Sequence, residues 1–531
     1  VRTRRLVQGA SLILFLWLFA ISTTQLASFI PPDLFLKGDP LAGIHVFLIS
    51  WGGLSSFVPA LAVVFLSLIA GRAFCGWICP LGTIFDLMGK LRRGTNRDPR
   101  WLLSKRAIPL FSLGLVLSSA LFGLSLIGWM DPLVILTRSV ALILEPWIMD
   151  SGAFVLRILR PLAQKLDWFW LWEAQISPPR FWLTGLSLAW MGTILCISLV
   201  VTRLWCRAFC PLGGMLGLLG SKAPISRKVT DSCTECGACQ RVCPSGAIGD
   251  DPRASFRFRC IACLRCQEVC PVDAIYFSPA SASPKAQKET RGFALSRRGL
   301  LAVGAAGLIG GLTVRTDAGR VAPRDRLIRP PGALPEGMFL EKCLRCGLCM
   351  SVCMSKTIQP SLWEAGLNGV WTPRLDLRLA PCEKHCNRCG KTCPTGAIRP
   401  LSLEERIHAK IGTAVLLRER CLVWEQDKVC LVCDEICPYD AIEFREVEGK
   451  RRPFVTENRC NGCGYCEHKC PVQGESAIVV VRMGEIRLEA GSYKEEAKKR
   501  GFVFEEARGE GGPTDGGSGE PERLPPGFLR P

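Results

Sequence analysis

The sequence predicts a multidomain chain: an α-helical membrane domain with four spans and a fifth anchor-like segment, carrying two small cysteine-rich α+β domains. Three observations predict it. Hydrophobic residues make up 48% of the 531 yet 21% are charged, so the apolar content must lie in blocks. Four blocks, at 6–26, 54–71, 107–129 and 181–201, are long enough to cross a bilayer. The 29 cysteines are grouped: six groups of four, two C-x-x-x-C pairs, and Cys196 alone inside an apolar block, where packing accounts for it.

Loop charge orients the spans. Arg2, Arg4 and Arg5 precede the first, eight basic residues lie between Arg72 and Arg106, and five follow the fourth within 203–228. The 31–53 loop has only Lys37, and the 130–180 loop balances five bases with five acids. The positive-inside rule therefore puts the N-terminus and residues 203–280 on the cytoplasmic side of a bacterial inner membrane.

Composition also excludes. A disulfide framework suits short secreted chains, not a long one with apolar spans. The net charge of +19 does not call for nucleic acid. A 4Fe-4S cluster with four thiolates carries about −2, and much of the surplus basic charge lies beside apolar spans.

An internal repeat, R-x-x-C-x-x-x-C-P-L-G, occurs at 72–82 and at 203–213. It implies two helical hairpins related by an axis along the membrane normal. If i and i+4 sulfurs share a helical face, Cys75, Cys79, Cys206 and Cys210 come together as an additional metal centre or a dithiol–disulfide pair. Inert cysteines at a helix end are the plain alternative.

The remaining groups are iron–sulfur cassettes. Cys233, Cys236, Cys239 and Cys243, then Cys260, Cys263, Cys266 and Cys270, each read C-x-x-C-x-x-C-x-x-x-C-P. Three closely spaced thiolates wrap one cubane, and the fourth is carried to the partner cluster. Cys233, Cys236 and Cys239 should thus share a cluster with Cys270, and Cys260, Cys263 and Cys266 with Cys243. Zinc would favour separated C-x-x-C pairs. Four further quartets follow: Cys343, Cys346, Cys349, Cys353; Cys382, Cys386, Cys389, Cys393; Cys421, Cys430, Cys433, Cys437; and Cys460, Cys463, Cys466, Cys470. Met354 replaces the proline after Cys353, and two spacings are stretched, which a loop that only returns a thiolate can absorb. The expectation is six 4Fe-4S clusters on 24 cysteines. No C-x-x-C-H occurs, so covalent c-type haem is not expected. His385 and His468 sit in cysteine loops without a required ligand role and are expected at the surface.

Arg297 and Arg298 precede an apolar stretch through Val314 and read as a twin-arginine export signal or a fifth anchor. Either places residues after about 320 outside. The expected domains are 1–222 (four spans and both C-x-x-x-C-P motifs), 223–280 (cytoplasmic, two clusters), 281–320 (linker and anchor), 321–506 (periplasmic, four clusters) and 507–531 (disordered tail). The Pro-rich 321–335 stretch is expected to be a linker.

On these motifs, residues 1–280 resemble NapH/MauN-type membrane ferredoxin proteins. Residues 290–531, with 380–398 and the long-gap group at Cys421, resemble NapG/MauM-type four-cluster proteins. The chain thus resembles a fusion of two usually separate partners, with ferredoxin-like iron–sulfur domains. The resemblance implies transfer of electrons from membrane quinol to a periplasmic redox enzyme or cytochrome, as part of a quinol dehydrogenase. MauM/MauN relatives imply instead a redox maturation role for a periplasmic enzyme. Resemblance to four-cluster electron-transfer subunits implies that the first outer group pairs with the fourth, and the second with the third. A quinone site needs a proton acceptor near an apolar pocket. His45, Asp131 and Glu145 could serve, against ordinary interfacial polarity.

Overall fold

A computed structural model describes residues 2–22, 31–50, 54–91, 107–174, 176–249, 251–279, 301–302, 304–309 and 325–504. Arg297, Arg298 and the tail after 507 lie outside these.

The apolar blocks form helices whose ends are set locally. The first is α1 (Arg2–Ile21), followed by α2 (Pro40–Ser50) in what reads as a loop. The second block opens as a 3-10 turn at Leu54–Phe57 and continues as α3 (Val58–Ala70), with proline in its first turn, where a missing N–H costs little. Gly71, at φ 66°, ends it. Short α4 (Ala73–Trp77) and α5 (Pro80–Leu91) follow. The third block, α6 (Ala107–Leu121), stops before Gly123, at φ 81°, instead of running on to 129. The expected 130–180 loop is largely helical: α7 (Pro132–Ser139), a π turn at Val140–Leu144 and α8 (Glu145–Lys165). The fourth block is α9 (Thr184–Val200), with α10 (Pro211–Leu219) after it. Among the described residues, α1 and the joined Pro132–Lys165 helix are long and apolar enough to cross a membrane; Pro40–Ser50, Val58–Ala70, Ile108–Leu121 and Thr184–Val200 are shorter.

The internal repeat is wider than the cysteine motif. Each half runs apolar helix, Asp-Pro-Leu helix, apolar helix, C-x-x-x-C-P turn and helix, with α8 inserted after the Asp-Pro-Leu helix of the second half. In the first half these are α1, α2, α3 and α4–α5; in the second, α6, α7, α9 and α10. The halves interlock, since α2 packs on α10 and α7 on α5.

Residues 225–279 fold on one end of this bundle. Antiparallel β1 (Ser226–Val229) and β2 (Ile275–Ser278) flank their two cysteine loops. Trp77 Nε1 donates to Ala262 O at 2.9 Å, and Ile225 N to Ile69 O at 3.1 Å. A Cβ on Gly76 would run into the carbonyl of Ile261, so the helix must be bare there.

Residues 325–504 sit on the other end. They contain three antiparallel pairs: β3 (Ile358–Pro360) with β4 (Pro373–Leu375), β5 (Thr413–Leu416) with β8 (Ile478–Val481), and β6 (Ile442–Val447) with β7 (Lys450–Val455). His45 Nε2 lies 3.2 Å from Glu341 O, Trp371 Nε1 donates to Ser187 Oγ at 3.1 Å, and Lys356 pairs with Glu145 at 3.2 Å. Ser187 is near the start of α9, and Arg203 just beyond its end reaches the opposite face of the bundle. Seventeen helical residues separate the two units by about 25 Å.

The 321–335 linker expectation is corrected for its described part. Ile328 bridges Leu375, Ala333 bridges Ile398, and buried Arg329 pairs with Glu336 at 2.6 Å, so 325–335 is part of the second unit's core. Residues 304–309 are helical, and Gly307 meets Ser118 on α6.

Two predictions follow from this packing. Gly76→Val should cost about 1–3 kcal/mol through overpacking, read as a lower thermal midpoint and faster proteolysis of 225–279. Gly89→Ala, with nothing within 4 Å of its Cβ, should be neutral or stabilising. Burial opposes ionisation of Glu336, but Arg329 and Arg487 outweigh it and hold its carboxyl down at about 2, from 4.5. A depressed carboxyl stabilises the fold above its unfolded value and loses that contribution as pH falls from about 4.5 to 2. Glu336→Gln should therefore lower stability at neutral pH and flatten the acid limb of a thermal-midpoint titration.

Candidate metal centres

Four of the six cassette loops, those starting at Cys233, Cys260, Cys343 and Cys460, curl because residues flanking the second cysteine adopt left-handed backbone. Glu235, Ala262, Arg345 and Gly462 precede it, and Gly237, Leu264, Gly347 and Gly464 follow it, all at positive φ. Two such residues in succession turn three thiols toward one point. After the fourth cysteine the chain turns back. The amides of Ala247, Ala274 and Ala441 donate to Cys243, Cys270 and Cys437 Sγ at 3.3, 3.3 and 3.4 Å. The Ile398 amide donates to Cys393 Sγ at 3.5 Å.

In the second unit, four cavities are each walled by four cysteines, and they define the pairing. Cys343, Cys346 and Cys349 share one with Cys393; Cys382, Cys386 and Cys389 share another with Cys353. Cys421, Cys430 and Cys433 join Cys470, and Cys460, Cys463 and Cys466 join Cys437. This overturns the expected first-with-fourth arrangement. The fourth thiol of each group needs only one turn to reach the neighbouring loop, so the unit is two local two-site modules. In 225–279 the same exchange brings Cys243 within electrostatic reach of Cys260, Cys263 and Cys266.

These donor sets fit cubanes. None of the 29 cysteines is in a disulfide. Burial pushes the Cys266 and Cys343 thiols up to about 11, and Cys260 and Cys433 to about 12, so binding a cluster must displace protons. Arginines favour the thiolates: Arg406 Nη2 donates to Cys382 Sγ at 3.1 Å and Arg227 Nη2 to Cys239 Sγ at 3.5 Å.

The four sites of the second unit form a file. Electrostatic neighbours run from Cys349 to Cys389, from Cys382 to Cys463, and from Cys466 to Cys433. The Cys343 site is against the bundle, where Arg138 stands 3.7 Å over Trp371 in its wall. The Cys421 site ends the file beside Val429, which is 94% exposed.

Inside the bundle the two C-x-x-x-C-P motifs do meet. Cys75 and Cys206 lie within electrostatic reach of each other, and both Cys79 and Cys210 are within reach of that pair. They are not on one continuous helix: Cys75 is in α4, Cys79 and Cys210 stand just before the prolines that start α5 and α10, and Cys206 is in a π turn, Trp205–Phe209. The arginine of each motif crosses to the other half. Arg72 Nη2 donates to Cys206 O at 3.0 Å, and Arg203 Nη1 to Cys75 O at 3.1 Å. Each guanidinium lies by the glycine closing the opposite motif; a Cβ would run into Arg72 at Gly213 and into the Cys75 carbonyl at Gly82. Arg203 also donates to Gly82 O at 2.8 Å and pairs, with Arg4, to Asp86.

Four indoles link this site to the second unit. Trp205, next to Cys206, Trp190, Trp129 and Trp371 have successive ring centroids 6.1, 5.7 and 4.3 Å apart. Nothing in the spacing of these tryptophans announces the file. Asp39 carries no ligand or catalytic motif, though its Asp-Pro-Leu repeats at 131–133.

The other expected residues separate. His45 is buried against Glu341 O and Ser125 Oγ, Glu145 is paired with Lys356, and Asp131 caps α7 through the amides of Leu133 and Val134. His385 is exposed, while His468 is half-buried with Nδ1 3.1 Å from Arg378 O. Cys196 is exposed on α9, not packed inside the protein.

Cysteine loops of this form, in paired modules, define an iron–sulfur protein of the ferredoxin type. The comparisons agree. The family profile of a 4Fe-4S binding domain matches 53–97 and 183–230, so it covers both C-x-x-x-C-P motifs, and 4Fe-4S dicluster domain profiles match 225–271 and 428–473. The methylamine utilization ferredoxin-type protein MauM of Paracoccus denitrificans is 40% identical over 192 residues, 34% of this chain and 82% of the relative. The ferredoxin-type protein NapG of Escherichia coli is 35% identical over 178 residues, 31% of this chain and 75% of the relative. The putative electron transport protein YccM of Escherichia coli is 29% identical over 35% of this chain and 44% of its own length. Over about a third of its length, the chain belongs to the MauM/NapG family of ferredoxin-type proteins. No solved structure matches it.

The pairing is testable by single substitutions. Cys393→Ser should remove the centre built on Cys343, Cys346 and Cys349, lowering iron by about four per chain and leaving the Cys382 centre spectroscopically intact. First-with-fourth pairing would instead make Cys470→Ser the variant that empties the Cys343 centre.

Proposed function

We propose that the protein is a membrane-bound electron conduit, taking electrons from membrane quinol and delivering them to a periplasmic redox enzyme or cytochrome. The observation that carries this reading is the position of two multi-centre units at opposite ends of one apolar helix bundle. In this reading α1, α3, α6 and α9 are the four membrane crossings. The shorter ones are completed by flanking turns, and the 304–309 helix on α6 belongs to a fifth crossing after the twin arginine. Residues 225–279 are cytoplasmic and 325–504 periplasmic.

When bound, six 4Fe-4S clusters supply one-electron carriage. The chain's own residues arrange the rest. A hydrocarbon core about 30 Å thick is too wide for a direct jump between the units. Cys75, Cys79, Cys206 and Cys210 would hold a further centre on the way, since four thiols from two related halves converge there and both motifs lie in 4Fe-4S-type segments. The Trp205–Trp371 file bridges from that site to the Cys343 site, and the Cys421 site with exposed Val429 offers the exit.

A maturation role for a periplasmic redox enzyme is the second reading, favoured by the identity to MauM. The two separate on one experiment. Reduced menaquinol or ubiquinol analogues, added anaerobically to purified protein, should reduce its clusters as followed by EPR. Cys75→Ser or Cys206→Ser should slow this about tenfold or more while sparing the six cassette clusters. Failure of every quinol with all six clusters present moves the reading to maturation.

A further inference from the structure

Two Asp-Pro-Leu segments, one in each half, begin helices inside the bundle. Asp39 is wholly buried, and its Oδ1 accepts from Leu41 N at 2.9 Å at the start of α2. Asp131, equally buried, does the same at α7, accepting from Leu133 N at 2.9 Å and Val134 N at 3.0 Å. The halves interlock so that these two carboxyl groups lie against each other. Their other oxygens, Asp39 Oδ2 and Asp131 Oδ2, are buried and have no donor among the described residues.

Charge counting decides what must be there. A helix N-terminus is worth roughly half a positive charge, so two of them balance about one carboxylate and not two. No cation on the packed elements is directed at the pair. Lys37 is held by Asp33 at 3.0 Å, and Arg138 donates to Gly128 O at 2.7 Å and covers Trp371. Asp86 on α5 is taken by Arg4 and Arg203, and His45 faces Glu341 O. The helices α3, α6 and α10 carry no charged residue. Cys210 is the thiol within electrostatic reach of Asp131. Two buried carboxylates in contact cannot both remain ionised.

We propose that Asp39 and Asp131 hold one shared proton, one carboxylic acid donating to one carboxylate, and so form a proton-binding site inside the bundle. The bond made is O–H···O between the two Oδ2 atoms, and it satisfies both orphaned oxygens at once. Because each Oδ1 stays on its helix amide, the pair can gain or lose a proton without uncapping a helix. The site does not depend on the quinol reading or on a bound cluster.

Infrared spectra of the full-length protein in lipid nanodiscs at neutral pH, compared in H2O and D2O, test it. The wild type should show a protonated-carboxyl C=O band equivalent to one group, shifted by deuterium and by isotopic labelling of aspartate. Asp39→Asn and Asp131→Asn should each remove that band. Asparagine keeps the helix cap, and its amide supplies the donor that the remaining carboxylate needs. A wild-type spectrum without an aspartate acid band overturns the proposal, as does a band surviving in both variants. Loss of the band on adding sodium or potassium ions would make the pair a cation site and overturn it equally. Should either variant fail to accumulate, the labelled wild-type band decides alone.

Discussion

Guanidinium groups buried in an apolar bundle must find acceptors, and the arginines of the two motifs find them in the opposite half. Arg72 is spent on the carbonyl of Cys206 and Arg203 on those of Cys75 and Gly82. That exchange fixes the two C-x-x-x-C-P turns face to face, which brings four thiols into one region. It also explains the glycine in each motif, because Arg72 occupies the volume of a side chain at Gly213 and the Cys75 carbonyl that Arg203 holds occupies it at Gly82. Asp86 then breaks the symmetry by gathering Arg4 and Arg203, with Arg265 of the 225–279 unit at 3.7 Å. One anion thereby ties α1, both motifs and the first iron–sulfur unit together.

Cysteine spacing made the cassettes readable, since three thiols two residues apart leave few alternatives to a cubane. Pairing among the four groups of the 325–504 unit was not readable. Spacing says that a fourth thiol leaves its loop, but only the fold says which neighbour receives it. The helices were legible as apolar blocks and less so as lengths. The Asp-Pro-Leu helices α2 and α7 sat in segments whose proline and acid content reads as loop, because a helix start and a loop use the same residues. Convergence of Cys75, Cys79, Cys206 and Cys210 followed from the repeat, though through broken turns and not along one helical face. The tryptophan file could not be seen, since aromatic residues in apolar helices are ordinary packing until three dimensions align them.

The modular pairing has an electrostatic result. Each oxidised cluster with its thiolates carries about −2, and a file of them would repel itself in an unrelieved interior. Arg227 and Arg406 sit directly on ligand sulfurs, and Lys410 donates to Cys460 O. The net charge of +19 is in this sense a property of the empty chain. Each cluster bound would bring the protein about two charges closer to neutral.

The crossed arginines also set an order of assembly. The acceptor of Arg72 lies 134 residues further along, so the first half remains incomplete until the ribosome has delivered the second. Contacts of that sequence separation are slow to close. The first half must therefore wait with an unsatisfied cation, and the 225–279 unit, tied to both motifs through Asp86 and Arg265, docks once the halves have joined. The 325–504 unit comes last, and its contacts at Ser187 and Gly128 exist only on a finished bundle. Vectorial synthesis and the interlocked repeat together make the bundle a checkpoint that precedes docking of the final, four-centre part.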